Sequence, residues 1–168
     1  MKKIFALLLG LAAFMGVASA QNYMVVDSEK IFKSITEYNT ALTQLDNLAK
    51  SYQQQVDAKY AQIETLYNNY QQQKANLSAA TRAMRENEIL EKESEAVKYQ
   101  ESIFGNDGEM MKKRIELIQP IQERVFKAIE SYAKANGFDL VLDIASNATM
   151  LYYSPEVNRT EAVIKLVK

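Results

Sequence analysis

Residues 38–73 read YNTALTQLDNLAKSYQQQVDAKYAQIETLYNNYQQQ, and this stretch decides the fold. Leu45, Leu48, Tyr52, Val56, Tyr60, Ile63, Tyr67 and Tyr70 recur at steps of three and four, the spacing that lines one side of an α-helix. Between them stand mostly Gln, Asn, Asp, Glu and Lys. No Gly or Pro interrupts residues 21–104, a run of 84 in which average usage would place about ten. A helix so sparing in apolar residues needs a partner. The chain's own return supplies one through Met84, Ile89, Leu90, Val97, Ile103, Phe104, Met111, Ile115 and Ile118. The expected element is a long antiparallel helical hairpin over residues 38–118. Its turn is expected near Ser78, whose hydroxyl can cap the following helix. Asn68-Asn69 is the competing break, and a single uninterrupted helix is the remaining possibility.

The N-terminus carries a different message. Met1-Lys2-Lys3 is basic, residues 4–14 are apolar, and Ala18-Ser19-Ala20 is a small-x-small cleavage site before Gln21. Together these predict a secretory signal peptide over residues 1–20 and an exported chain. Its apolar core is shorter than the roughly 20 residues a membrane span needs. There is no Cys to acylate, to pair or to hold a metal, and no His. The commonest nucleophiles, general bases and metal ligands are therefore missing, and no enzyme or cofactor chemistry is expected. Without Lys2 and Lys3 the chain has 18 Lys and Arg against 21 Asp and Glu. That balance argues against nucleic acid as a partner and limits membrane contact to the periphery.

Beyond the signal, Tyr23-Met24-Val25-Val26 is a short strand candidate, and Asp27 or Ser28 caps a helix that buries Ile31, Phe32 and Ile35. Asp27 is read as a cap rather than a catalytic carboxylate, because no partner stands near it in sequence. The tyrosines of the arm are expected mainly in the seam between helices. A functional reading makes Tyr52, Tyr60, Tyr67 and Tyr70 outward contact points for another chain. The acidic residues 86–101 are spaced mostly by two and scatter around the helix, which describes a solvated face better than a cation site.

Gly105-Asn106-Asp107-Gly108 should break the returning helix, since each Gly costs about 1 kcal/mol against Ala inside one. Pro120 should either kink the next run or open a new helix. Gly105, Gly108 and Pro120 are thus the candidate hinges. Asn136-Gly137 stops the helix that follows. Residues 138–143, FDLVLD, and 148–153, ATMLYY, then read as a strand hairpin turning at Ser146-Asn147. Asn158 and Glu161 suit a capping box before a terminal helix over residues 162–167. Asn147 and Asn158 also match glycosylation patterns, but a turn and a cap explain them.

The fold class expected is α+β, mostly α. Residues 21–37 and 119–168 form a small β-body, and the hairpin of residues 38–118 is inserted between them. Such a body is marginal in size, and its apolar strand edges would invite aggregation. Val25, Leu140, Leu142, Leu151 and Tyr152 are therefore expected to meet across subunits.

At this point a resemblance emerges. A signal peptide, YMVVDSEKIFKS, a long polar hairpin, NGFDLVLD and MLYYSPEVNRTEAVIKLVK together resemble the Skp/OmpH-like periplasmic chaperone family over essentially the whole mature chain. The resemblance implies a homotrimer with a central β-body and helical arms around a cavity. In it unfolded outer-membrane proteins are held without ATP, and no catalytic residue or cofactor is implied. Well-known members are strongly basic, whereas residues 40–118 here hold 10 Lys and Arg against 12 Asp and Glu. Lipopolysaccharide-binding basic residues therefore do not carry over. The competing class is a structural or adaptor coiled coil of the cell envelope with no holding activity.

Overall fold

The computed structural model describes residues 22–145 and 150–168. The expected signal peptide and the Ser146-Asn147 turn lie outside the described residues. In chain order the elements are β1 (Tyr23–Val26), α1 (Ser28–Lys33), α2 (Thr36–Gln73), a 3-10 turn (Lys74–Asn76), α3 (Ala79–Phe104), α4 (Glu109–Ala135), β2 (Leu140–Asp143), a second 3-10 turn (Pro155–Val157) and α5 (Thr160–Val167). The protein is α+β and mostly α, with a long hairpin between the halves of a small body.

β1 and β2 pair in parallel, with Tyr23 opposite Leu140 and Val26 opposite Asp143. The whole hairpin is thus the crossover between two neighbouring strands. The expected strand over residues 148–153 is corrected in its described part: Met150 to Tyr153 form no strand. β2 finds its partner in the N-terminal strand. The far edge of β1 is met by Asn158 in a single bridge to Val25, and Arg159 N–H donates to Val25 O at 2.9 Å.

Asp27 caps α1, its carboxylate accepting from Lys30 N–H at 2.9 Å. That fixes the turn between β1 and α1, so Ile31 and Ile35 point inward beside Met24 and Val26. Ala41 and the α4 residues Ile118, Ile121 and Val125 close this core with Val163, Ile164 and Val167 of α5. Truncating Ile31, fully buried here, to Ala would cost about 2–5 kcal/mol. The cap of α5 differs from the expected box. Asn158 Oδ1 accepts from Thr160 N–H at 2.9 Å, while Glu161 turns to Lys30 at 2.6 Å and ties α5 to α1. Helix α4 ends at Asn136-Gly137 as expected, Gly137 taking the left-handed conformation at φ +70°.

α2 is 38 residues long, about 57 Å at 1.5 Å per residue. It runs straight through Asn68-Asn69. The chain reverses at the 3-10 turn, and Ser78 Oγ then accepts from Thr81 N–H at 3.2 Å to start α3.

Candidate functional site

The seam of the hairpin follows a strict alternation of four and three. On α2, Val56, Ile63 and Tyr70 are buried at intervals of seven, with Leu45, Tyr52 and Leu66 half-buried between or before them. On α3 the matching residues are Ile89, Ala96 and Ile103. This is the period of a coiled coil, but a polar-laced one. Lys59 occupies a seam position and lies over the Tyr99 ring at 4.9 Å. Tyr99 Oη donates to Gln55 at 2.6 Å. Near the tip the Tyr70 hydroxyl donates to Glu86. The hydrogen bond to that carboxylate, then the loss of solvent, holds the Tyr70 hydroxyl above the usual tyrosine range.

This register leaves a second line of apolar residues unburied. Leu90, Val97 and Phe104 each follow directly after a buried seam residue and stay 60%, 54% and 40% exposed. Tyr60 and Tyr67 stand likewise beside Lys59 and Leu66 on α2 and are also exposed. Tyr60 Oη reaches across to Gln100 Oε1 at 3.3 Å. Gln100 is flanked one turn away on either side by Val97 and Phe104, so residues of both helices share one side of the arm. On the other side stand Gln55, Gln62 and Asn69 of α2 with Glu88, Glu95 and Ser102 of α3. The arm is therefore amphipathic in its seam, and one open side adds a line of apolar side chains interrupted by acids, with Glu93 between Leu90 and Val97 and with Asp57 and Glu64 one turn either side of Tyr60.

Of the four tyrosines proposed as outward contacts, Tyr60 and Tyr67 lie on this face. Tyr52 is half-buried and Tyr70 lies in the seam at 5% exposure. Leu90, Val97 and Phe104, which the sequence pattern places in the seam, lie outside it. Ile89-Leu90, Ala96-Val97 and Ile103-Phe104 present two adjacent heptad stripes in sequence, and only the partner helix decides which one is covered. The residues proposed to meet across subunits are also dispersed. Val25 is fully buried within its own chain, Leu142 is half-buried and Leu140 half-exposed, whereas Leu151 and Tyr152 are 95% and 83% exposed.

The candidate hinges separate into two kinds. Gly105 and Gly108 occupy the gap between α3 and α4. A Cβ on Gly105 would lie 2.4 Å from Glu101 O, and one on Gly108 would lie 2.5 Å from Ile103 O. Both glycines have ordinary negative φ, so close backbone approach is what demands them. Pro120 neither opens a helix nor ends one; it sits exposed within the continuous α4.

The protein is thus a small parallel-stranded body bearing a long hairpin arm, with a second line of apolar side chains on the arm left open to solvent. The family model described as outer membrane protein (OmpH-like) matches residues 22–167, and the chain belongs to this family. It is 29% identical over 161 residues to a protein named chaperone protein Skp from Yersinia enterocolitica, covering 95% of this chain and 93% of that one. A second protein of that name, from Photorhabdus laumondii, is 24% identical over 160 residues, with 95% and 93% covered. An uncharacterized protein of Aquifex aeolicus is 26% identical over 165 residues, with 98% and 95% covered.

Proposed function

We propose that this protein is an ATP-independent holdase of the periplasm that keeps unfolded outer-membrane β-barrel proteins from aggregating. The observation that carries this reading is the solvent-open line of Leu90, Val97 and Phe104 beside Tyr60 and Tyr67 on one side of a long arm. Such a line offers many weak apolar contacts to a chain with no fixed shape. A purely structural coiled coil has no use for a second, uncovered stripe. The names of the Skp relatives support the chaperone class.

In this reading the signal peptide of residues 1–20 exports the chain. Residues 21–37 and 119–168 make the body, and residues 38–118 make the arm. Three bodies join through Leu140, Leu142, Leu151 and Tyr152, with Val25 packed beneath them, so that three arms enclose a cavity. Gly105 and Gly108, with Pro120 below them, let the arms splay around clients of different size. Binding is largely non-ionic because the arm carries nearly balanced charge. The test is light scattering of a urea-unfolded outer-membrane barrel protein diluted into buffer without ATP. The proposal expects near-stoichiometric suppression by the purified protein. Undiminished scattering would overturn it in favour of the envelope adaptor.

A further inference from the structure

The apolar face of the arm leads at its base into a groove. Phe104, the last residue of the exposed stripe, lines an open depression of about 410 Å³ with Leu42 and Leu45 of α2 and Met110 and Met111 of α4. Its charged lining residue is Arg114, and no carboxylate lines it.

The charges around the groove are not alike. Asp46 pairs with Lys50 at 2.6 Å, Glu109 with Lys112 at 2.9 Å and Glu116 with Lys113 at 2.6 Å. These three carboxylates each have their own lysine one helical turn away; Asp107, beside the lining residue Asn106, enters no ion pair among the described residues but does not line the groove. Among the described residues Arg114 has no such partner. A guanidinium bordered by apolar side chains, with no acid in the lining, favours a carboxylate brought from outside. The volume suits a few side chains.

We infer that this groove seats a segment of unfolded polypeptide in which a carboxylate stands next to apolar side chains, the apolar groups entering between Leu42, Phe104 and Met111 and the carboxylate pairing with Arg114. The inference rests on the holdase reading and adds a preference to it. An unfolded chain is the fitting occupant because the groove is open and continuous, through Phe104, with the stripe of Val97 and Leu90. A chain seated at the base can lie on along the arm. The site thus gives a near-neutral arm one ionic point of attachment, and acidic-apolar client segments are placed at its root.

The experiment uses the intact protein and two fluorescein-labelled octapeptides, identical except that one carries Asp and the other Asn between Leu and Phe, both amidated. Fluorescence anisotropy at low salt should show the Asp peptide binding at least fivefold tighter. Arg114→Gln should abolish that difference. Lys112→Gln, which removes the same unit of charge from a lysine already paired, should leave it intact. A benzophenone amino acid at position 42 should crosslink to the Asp peptide. Equal binding of both peptides to the wild type would overturn the inference, as would a preference surviving Arg114→Gln. So would crosslinking from position 42 to a second copy of the chain alone, or laurate displacing the peptide at lower concentration than the unlabelled peptide does. Light scattering run in parallel separates the two claims. Loss of the Asp preference with client holding intact sinks the groove and spares the holdase.

Discussion

Ser28 Oγ donates to Asp143 Oδ2 at 2.5 Å, joining residues 115 apart in sequence. The bond ties the first turn of α1 to the end of β2, and Ser28 N–H adds a second at 3.1 Å to Asp143 Oδ1. Both ends of the hairpin are thereby fastened at one place in the body. Partial burial pushes the Asp143 carboxyl up, but hydrogen bonds from Ser28 and Ala145 outweigh it and leave the group below its usual range.

A depressed carboxylate stabilises the fold above its unfolded pKa, about 3.9, and that contribution is lost as pH falls through the lower folded value. Asp143→Ala should therefore lower stability at pH 7 by about 1–3 kcal/mol. The gap from wild type should close as pH falls below about 3.9. Urea midpoints measured from pH 7 to pH 2.5 give the comparison. A gap that stays constant down to the lowest pH would show that the carboxylate charge does not act here.

At the break, close approach sets the expectation. Gly105→Ala/Gly108→Ala puts methyl groups against Glu101 O and Ile103 O at distances no Cβ tolerates. The backbone must shift, at about 1–3 kcal/mol for each crowded site. Hydrogen exchange should quicken around residues 101–112 while the strands stay protected. Holding of large clients should fall more than holding of small ones if the break serves as a hinge. Equal holding of both by the double variant would make it a tolerated interruption.

The arm has an uneven interior. Met24, Ile31, Val125 and Val163 belong to the body core, whereas Ile63, Tyr70, Ile89 and Ala96 form a separate cluster in the distal half, capped by Leu66 and Leu77. Amide exchange should follow these clusters. It should be slowest in β1, β2 and α1, intermediate near Ile63 and Ile89, and fastest at residues 71–80 and 104–109. Uniform protection along the hairpin would contradict the two-cluster arrangement.

Much of this architecture was legible because local chemistry and tertiary structure agree. The Gly- and Pro-free run, the Ser78 cap, the Asp27 cap and the Asn136-Gly137 stop each act within a turn of themselves. What failed to read through depends on distant partners. Residues 150–153 look like a strand, yet β2 pairs with Tyr23–Val26 instead, a partner on the far side of the whole hairpin in sequence that no local pattern announces. Tyr60 and Tyr67 looked like seam residues because a step of four fits a helix as well as a step of three. The register set by α3 places Lys59 and Leu66 there instead. The exposed stripe was hidden for the same reason, since Ile89-Leu90 offers two apolar neighbours and only one can face α2.

If the exposed stripe holds clients, its removal should spare the fold. Leu90→Ser/Val97→Ser changes two side chains that are 60% and 54% exposed, and surface changes of this kind usually shift stability by under about 0.5 kcal/mol each. The melting temperature should be nearly unchanged while suppression of client aggregation drops severalfold. The polar-side change Gln62→Ser/Ser102→Ala should leave both alone. Equal loss of holding from either side would remove the case for a one-sided arm.

Assembly can be separated from folding at Leu151 and Tyr152. At 95% and 83% exposure they contribute almost nothing to their own chain, so Leu151→Ser/Tyr152→Ser should leave the isolated subunit's core intact. Full burial of a Leu is worth about 1.5–3 kcal/mol, and three joined bodies would bury the pair three times over. If the bodies join as proposed, the double variant should therefore sediment as a lighter species than the wild type at the same concentration, with its circular dichroism little changed. Leu142→Asp differs, because Leu142 is already half-buried beside β1. It should lose assembly and body stability together, by several kcal/mol for a charge left without a partner. Holding should fall with assembly in both variants if the cavity between arms does the work. A monomeric Leu151→Ser/Tyr152→Ser protein that still protects its clients would place the activity in the single arm, and the trimer would then be a means of raising avidity rather than of building a cavity.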